Sequence, residues 1–411
     1  MIRILAVSTI LPEQEKNVGE GDDLCTIRPI AHRHVRLGSA FVDDARITAD
    51  LQRYRLGPHV IRRLSRSGAL AVAAGMRALE DASLVSEASG WTLPEHLQDN
   101  VGVVFASSFG HCEPALMPRQ PVDAPERKLA LDLCLQANVQ IAEHVKARAF
   151  NTFSSAACAS TTVALKVACN AIAADDCTHC LVVAADAVLS NHYTELVASF
   201  VNLNAATATE TLEGKTAFAK ERGGFVFGEG AVAMLLANDG SATSSSSVPL
   251  VRLITSRIGN SAYHGTRVDV THVTKVLRKA VEETCRKCGI NRSTLARHCL
   301  YVSHETATRL CANAEVSALR AVFGDDVVCL VITNTKAFSG HIMGASVEDA
   351  VAVVALQQQR APAVDVAHLD STFHDLTFSD GAPRRYEYAI HVAYGLGSHV
   401  AVCVYGTTLE E

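Results

Sequence analysis

An α/β fold of two similar halves is what this 411-residue chain predicts, on three observations. Short apolar runs of strand character alternate with longer segments of helical periodicity along nearly the whole sequence. One polar, low-complexity stretch, Asp239-Gly-Ser-Ala-Thr-Ser-Ser-Ser-Ser247, interrupts the alternation and reads as an exposed connection, which divides the chain into halves at 1–240 and 249–411. Hydrophobic residues make up 48% but aromatic residues only 5%, which suits closely packed helices on buried sheets built from Ala, Val and Leu. Alternation on both sides of the connection predicts a mostly parallel sheet in each half. No sequence repeat relates the halves, so any duplication lies in the structure alone.

Taken in order, residues 1–11 form a first strand rather than a secretory leader. The apolar run is brief, it lacks a small-residue cleavage site, and Pro12-Glu-Gln-Glu comes at once after it. Residues 56–84 place Leu64, Ala69, Leu70, Val72, Ala73, Met76 and Leu79 at helical spacing and predict one long helix. Arg62, Arg63 and Arg66 near its start make a basic cluster suited to an acidic partner. Next come a strand at 101–106, a helix at 128–145, a strand at 150–153, a helix at 160–174 and a strand at 180–185. Glycines punctuate 223–236 before another strand. The second half predicts strands at 251–254, 299–303, 327–333, 388–392 and 400–405, with helices at 270–288 and 344–358.

The formal charge of −6 offers no basic excess to neutralise phosphates, so nucleic acid is not expected as a partner. No apolar run reaches the roughly 18 residues that span a bilayer. Thirteen cysteines, an odd number scattered through apolar runs, fit free thiols in a reducing, cytoplasmic setting.

Chemistry centres on Asn151-Thr-Phe-Ser-Ser-Ala-Ala-Cys158-Ala-Ser-Thr-Thr162. Cys158 stands among small residues where a strand gives way to a helix. There unpaired backbone N–H groups and the positive end of the helix dipole favour a thiolate, and small neighbours admit a substrate backbone. His304 comes directly after a strand, at the end of which ligands bind in open α/β sheets. His341 lies in Lys336-Ala-Phe-Ser-Gly-His341, read as following a strand and opening a helix. Cys285-x-x-Cys288 with His298-Cys299, and Cys177-x-His179-Cys180, offer zinc-like spacings, but neither has a matching second pair, and no metal is expected.

Ala157-Cys158-Ala-Ser, His304-x-Thr-x-Thr, Lys336-x-x-x-Gly-His341 and Tyr394-Gly-Leu-Gly-Ser-His399 occur in the order seen in β-ketoacyl-acyl-carrier-protein synthases. Arg222-Gly-Gly-Phe-Val-Phe-Gly-Glu-Gly230 resembles that family's glycine-rich signature, and Ser261-Ala-Tyr-His264 resembles another short marker. The resemblance runs from about Leu56 onward. It implies a thiolase-like fold in five layers, α-β-α-β-α, and a decarboxylative condensation without a cofactor, with substrates carried on the phosphopantetheine of an acyl carrier protein. Cys158 would hold the acyl group, its thiol activated by the helix N-terminus with no need of an adjacent base. His304 and His341, both neutral, would hydrogen-bond the malonyl-derived enolate. Backbone N–H groups of Cys158 and Leu396 would form the oxyanion hole. Lys336 and Glu315 resemble a supporting ion pair, Thr306 and Thr308 the hydroxyls that bind the pantetheine arm, Phe225 and Leu396 the pocket's gate, and Phe109 its end. Arg62, Arg63 and Arg66 then have an acidic carrier protein as their partner.

Departures fall at Glu305 and Ala307, where the family has glycine, at Cys311-Ala312 in place of Asn-Asp, at Leu396 in place of the usual Phe, and at Ser398 and Val400. They leave the reaction class intact, a condensation of fatty acid synthesis or, as the departures favour, of polyketide or polyene synthesis with an acyl chain other than an ordinary saturated one. The resemblance also implies a dimer joined at sheet edges, with an identical chain or a ketosynthase-like paralogue. Two other readings compete. One is a non-condensing, chain-length-determining subunit, against which Cys158 stands. The other is a cysteine hydrolase, which would leave the second histidine motif unexplained.

Overall fold

The computed structural model describes residues 2–11, 28–32, 35–40, 42–61, 64–109, 136–189, 194–207, 214–239 and 250–407. The strands of the first half are β1 (Ile2–Ile10), β2 (Arg28–His32), β3 (Val35–Ala40), β4 (Val101–Ala106), β5 (Asn151–Ser154), β6 (His179–Asp186), β7 (Phe227–Gly228) and β8 (Gly230–Asn238). Those of the second are β9 (Val251–Asn260), β10 (Cys299–Ser303), β11 (Val331–Asn334), β12 (Thr377–Phe378), β13 (Tyr388–Gly395) and β14 (His399–Thr407). The helices used below are α1 (Asp44–Arg53), α2 (Arg66–Asp81), α3 (Ala137–Val145), α4 (Ser160–Ala173), α5 (Thr194–Asn202), α6 (Val270–Cys288), α7 (Arg292–Arg297), α8 (Arg309–Phe323), α9 (Lys336–Ser339) and α10 (Val347–Gln358).

Eleven strands share one hydrogen-bonded sheet in the order β12-β11-β10-β13-β14-β9-β1-β8-β6-β4-β5, while β2, β3 and β7 make a small separate one. The seam is short: β1 meets β9 only over Ile2–Ile4 and its three partners. Outward from that seam the same pattern recurs in each half. Antiparallel pairings come first, β1 with β8 and β8 with β6 on one side, β9 with β14 and β14 with β13 on the other. A parallel set then completes the half, β6-β4-β5 and β13-β10-β11-β12 respectively. The duplication that no sequence repeat reveals is therefore present in strand order, and each half is mixed rather than mostly parallel.

Strand side chains alternate between two cores, as the two-residue period demands. In β6, Cys180, Val182 and Ala184 face a central core, while Leu181, Val183 and Ala185 face an outer one with α2 and α3. In β10, Leu300 and Val302 face the same central core, while Cys299 and Tyr301 face an outer one with α6 and α8. The centre is filled by α4 and α10, whose apolar residues meet both halves. A helix between two sheets has no solvent side, which is why α10 reads as apolar nearly all round. These are the five layers, α-β-α-β-α, of a thiolase-like fold.

Several element boundaries differ from the sequence reading. The single helix expected over 56–84 is interrupted, because Ser65 caps α2 by accepting from Gly68 N at 3.0 Å. Of the helix expected over 128–145, α3 covers Ala137–Val145, and 128–135 lie outside the described residues. Residues 327–329, expected in a strand, belong to a 3-10 turn, Gly324–Cys329, and β11 starts at Val331. The connection at 240–249 also lies outside the described residues.

Candidate active site

Cys158 lies in the turn between β5 and α4. Ser160 pins that turn: its Oγ accepts from Ala156 N at 2.9 Å and donates to Ala157 O at 2.6 Å. Ala157, just before the cysteine, holds a φ of 49°. Ala307 in the His304 loop, Met343 after His341 and Ser398 beside Leu396 also have positive φ. Non-glycine residues pay about 1–3 kcal/mol each for such angles and cluster where a site dictates the backbone. Ala156 and Ala159 pack against Ala393 and Ala401 of β13 and β14. Gly395 approaches so closely that a Cβ there would lie 2.3 Å from Ala156 O, which requires glycine and sets the next turn against the Cys158 loop. Leu396, on that turn, is 39% exposed.

His341 comes from the other half of the chain. Its Nε2 stands 3.3 Å from Cys158 Sγ. Its backbone is fixed by two bonds to the glycine-rich segment, His341 N donating to Val226 O at 2.7 Å and Gly228 N to His341 O at 3.1 Å. It comes after the short helix α9 and the φ-positive Gly340, not after a strand as the sequence reading had it. His304 follows β10 directly, and its ring lies edge-on to His341 with centroids 5.7 Å apart. Tyr394 packs edge-on against His304 at 5.4 Å. Cys158, His304 and His341 are all buried.

Burial and the neighbouring Lys336 push His341 down to about 3. The same two causes hold His304 well below the ordinary histidine value, so both imidazoles are neutral at pH 7. Cys158 departs from expectation. Burial pushes its thiol up to about 12, with Lys336 only partly offsetting that. A rise of that size opposes ionisation by roughly 4 kcal/mol, and a helix N-terminus returns at most about 2. The α4 N-terminus therefore offsets only part of that burial. Alkylation of Cys158 by iodoacetamide, read out by peptide mass, should accelerate about tenfold per pH unit from about pH 7 to about pH 10. A rate already level near pH 7 would reveal a resting thiolate instead.

Lys336 is buried and pairs with Glu348 of α10, not with Glu315. Glu348 also accepts from Thr335 Oγ1 at 2.7 Å and Ser346 Oγ at 3.0 Å. Burial works against its ionisation, yet Lys336, His391 and His304 hold it well below the usual carboxylate range. Glu315 accepts from Tyr301 Oη at 2.7 Å, Ser303 Oγ at 3.0 Å and His304 N at 3.0 Å, so it shapes the His304 turn through hydrogen bonds. Glu305, fully buried, accepts from Ala307 N at 2.7 Å and is pushed up by burial to about 8. Thr306 and Thr308 hydroxyls lie 3.2 Å apart, and Thr308 caps α8 through Cys311 N at 3.3 Å. Phe109 and Phe225 join Cys158, Phe200, Phe227 and Met343 in one apolar cluster beside the cysteine.

Arg66 is not free to dock a partner. Its guanidinium is tied to buried Glu229 at 2.6 Å, to Asp44 and to Val42 O. Arg62 and Arg63 lie outside the described residues. Among the described residues no group of three or more His, Cys, Asp or Glu could hold a metal ion, and no helix is long and apolar enough to cross a membrane. The sequence reading missed Glu348, Asp349 and His391. Acids in the first turn of an otherwise apolar helix, and a histidine inside an apolar strand, were the available signals, since buried ionisable groups demand partners.

Fold and site thus define a thiolase-like protein in which one half brings a cysteine to two histidines of the other. Family models agree: "Beta-ketoacyl synthase, N-terminal domain" matches residues 20–242, and "Beta-ketoacyl synthase, C-terminal domain" matches 256–368. The chain belongs to the β-ketoacyl synthase family. It is 22% identical over 381 residues to 3-oxoacyl-[acyl-carrier-protein] synthase 2 of Staphylococcus aureus, covering 87% of this chain and 89% of that one. Among solved structures, a chain from a type II PKS acyl-carrier protein complex with its ketosynthase bound to the hexaketide superposes with a TM-score of 0.76 at 17% identity, 99% of each chain being covered. The ishigamide ketosynthase/chain length factor gives 0.76 at 18%, again with 99% of each. A beta-ketoacyl synthase from Burkholderia phymatum STM815 gives 0.75 at 18%, also with 99% of each.

Proposed function

We propose that this chain is a condensing β-ketoacyl-acyl-carrier-protein synthase that works in polyketide or polyene synthesis. The observation that carries this is the 3.3 Å contact of His341 Nε2 with Cys158 Sγ, with His304 beside it in a buried site. In the first half-reaction the Cys158 sulfur, with His341 Nε2–H donating to it, attacks the acyl thioester of a carrier protein. The thiol proton passes through solvent to the departing pantetheine sulfur. In the second, a malonyl thioester loses carbon dioxide. Its enolate oxygen accepts hydrogen bonds from His304 and His341, and its carbon attacks the Cys158 thioester and expels the Cys158 sulfur as a thiolate, which takes a proton from solvent. Backbone N–H groups of Cys158 and Leu396 receive the developing oxyanion, Thr306 and Thr308 the pantetheine arm. Phe109, Phe225 and Leu396 shape the acyl pocket. No cofactor is needed, since the substrate's own carboxylate leaves as carbon dioxide.

Leu396, smaller than phenylalanine and on an exposed turn, supports an acyl chain other than a saturated one. The edge strand β5 supports a dimer through that edge, with an identical chain or a ketosynthase-like paralogue in which this chain is the condensing member because it keeps Cys158. Purified protein mixed with an acyl-carrier thioester should gain the acyl mass, and added malonyl-carrier should then release carbon dioxide and a β-ketoacyl product. Acyl gain without carbon dioxide release would overturn condensation, and no gain, alone or with a co-purified partner, would overturn the acyl-enzyme.

A further inference from the structure

Behind His304 stands a buried pair that the two half-reactions do not use. His391, inside β13 and fully buried, places Nδ1 3.1 Å from Asp349 Oδ1 and 3.4 Å from Ser346 Oγ. Asp349 is fully buried too, and also accepts from Tyr405 Oη at 2.8 Å and Thr162 Oγ1 at 2.7 Å, so its carboxylate is fixed from three other elements. The second nitrogen of His391, Nε2, has no partner among the described residues, and neither has Nδ1 of His304. These unpartnered nitrogens belong to rings whose centroids are 6.3 Å apart and inclined by 32°. A buried polar atom left unpaired costs about 1–3 kcal/mol. One water between the two rings would partner both.

We propose that His391 is a positioning residue that holds one water against Nδ1 of His304, the water donating to that nitrogen and so keeping His304 in the tautomer whose Nε2–H faces the thioester oxygen. The proposal rests on the condensing-enzyme reading. A neutral imidazole carries one N–H, so a donor on the Nδ1 side leaves the proton on Nε2. Asp349 fixes His391 from behind, much as a carboxylate orients a histidine in other sites. Burial alone would strip charge from His391, but Asp349, with Glu348 behind it, outweighs burial and raises its pKa, while Lys336 acts the other way. The groups facing His391 are thus Asp349 and Glu348 of α10, Lys336 of α9 and His304 after β10, with the Ser346 hydroxyl. His391 also acts to lower the pKa of His304, opposing a charge on that ring as pH falls.

The test is carbon dioxide release from malonyl-carrier against pH, with acyl loading of Cys158 measured alongside, for wild type, His391→Asn and His391→Gln. Asparagine keeps a donor toward Asp349 but has nothing at the place of Nε2. Glutamine reaches that place with an uncharged donor. Expected in His391→Asn is a fall in kcat for carbon dioxide release of about tenfold to a hundredfold, the size of one charge-assisted hydrogen bond. KM and acyl loading should stay unchanged, and the acid limb should move up by roughly one pH unit. His391→Gln should recover most of the rate but not the acid limb. An Asn variant with the wild-type rate and limb would overturn the proposal. So would one that loses loading and carbon dioxide release equally, which is the mark of a merely structural residue. A wild type that releases no carbon dioxide would instead overturn the condensing reading itself.

Discussion

Replacing His341 by alanine should stop acyl capture as well as condensation, whereas replacing His304 should stop condensation alone. The two rings are neighbours, but only His341 touches the Cys158 sulfur, at 3.3 Å. Because burial opposes the thiolate, capture needs the His341 Nε2–H hydrogen bond as charge develops on the sulfur. Losing one preorganised donor of that kind costs about 10²- to 10³-fold. His304 meets only the enolate, so His304→Ala should leave the acyl mass gain near wild type and lower carbon dioxide release by about 10²- to 10³-fold, the usual cost of one oxyanion donor. Cys158→Ala should abolish both steps. Intact-protein mass after mixing with an acyl-carrier thioester, and carbon dioxide release from malonyl-carrier, separate the cases. Normal loading of His341→Ala would place that donor elsewhere, and failed loading of a folded His304→Ala would transfer the role to His304.

The sequence exposed the features written in local pattern. Helix α6 was legible to the residue, because its apolar face repeats at 3.6 and Asp269 and Gly289 cap its ends. Strands β4, β6 and β10 were legible as continuous apolar runs between polar breaks. Cys158, His304 and His341 were singled out because each is bounded by small or turn-forming residues. The features it concealed depend on which side chains meet across the seam. Lys336 finds Glu348 only twelve residues on, yet Glu315 was the expected partner, because nothing local says which acid turns toward the ammonium. The Cys158 thiol was expected low because the helix N-terminus is visible in sequence, while the burial that outweighs it is created by Phe225, Phe227 and Met343 arriving from elsewhere. Arg66 looked available for the same reason: its partner Glu229 lies 163 residues away.

Lys336→Met should be among the most destabilising single changes in this chain, and its cost should depend on pH. Lys336 and Glu348 are 7% and 4% exposed, so removing the ammonium strands a carboxylate inside the protein. Breaking a buried pair in this way costs about 3–5 kcal/mol. The hydroxyls of Thr335 and Ser346 remain on Glu348, but neutral donors do not replace a full charge. In the wild type the carboxyl is held well below its ordinary 4.5. The stabilisation from this group is therefore complete above that value and is lost as pH falls through the depressed one. In Lys336→Met the sign reverses, because burial now raises the Glu348 pKa and stability falls as pH rises past the ordinary glutamate value. Urea midpoints of the variant should lie furthest below wild type at about pH 8 and converge toward it at about pH 5. Lys336→Met combined with Glu348→Leu should recover much of the loss, since two apolar residues leave no charge stranded. A variant within about 1 kcal/mol of wild type at both pH values would mean that water reaches Glu348. The same ammonium helps to keep His304 and His341 uncharged, while Glu348 acts the other way on both. The double variant therefore removes two opposed influences, and the acid limb of its rate should move less than that of Glu348→Leu or Lys336→Met alone.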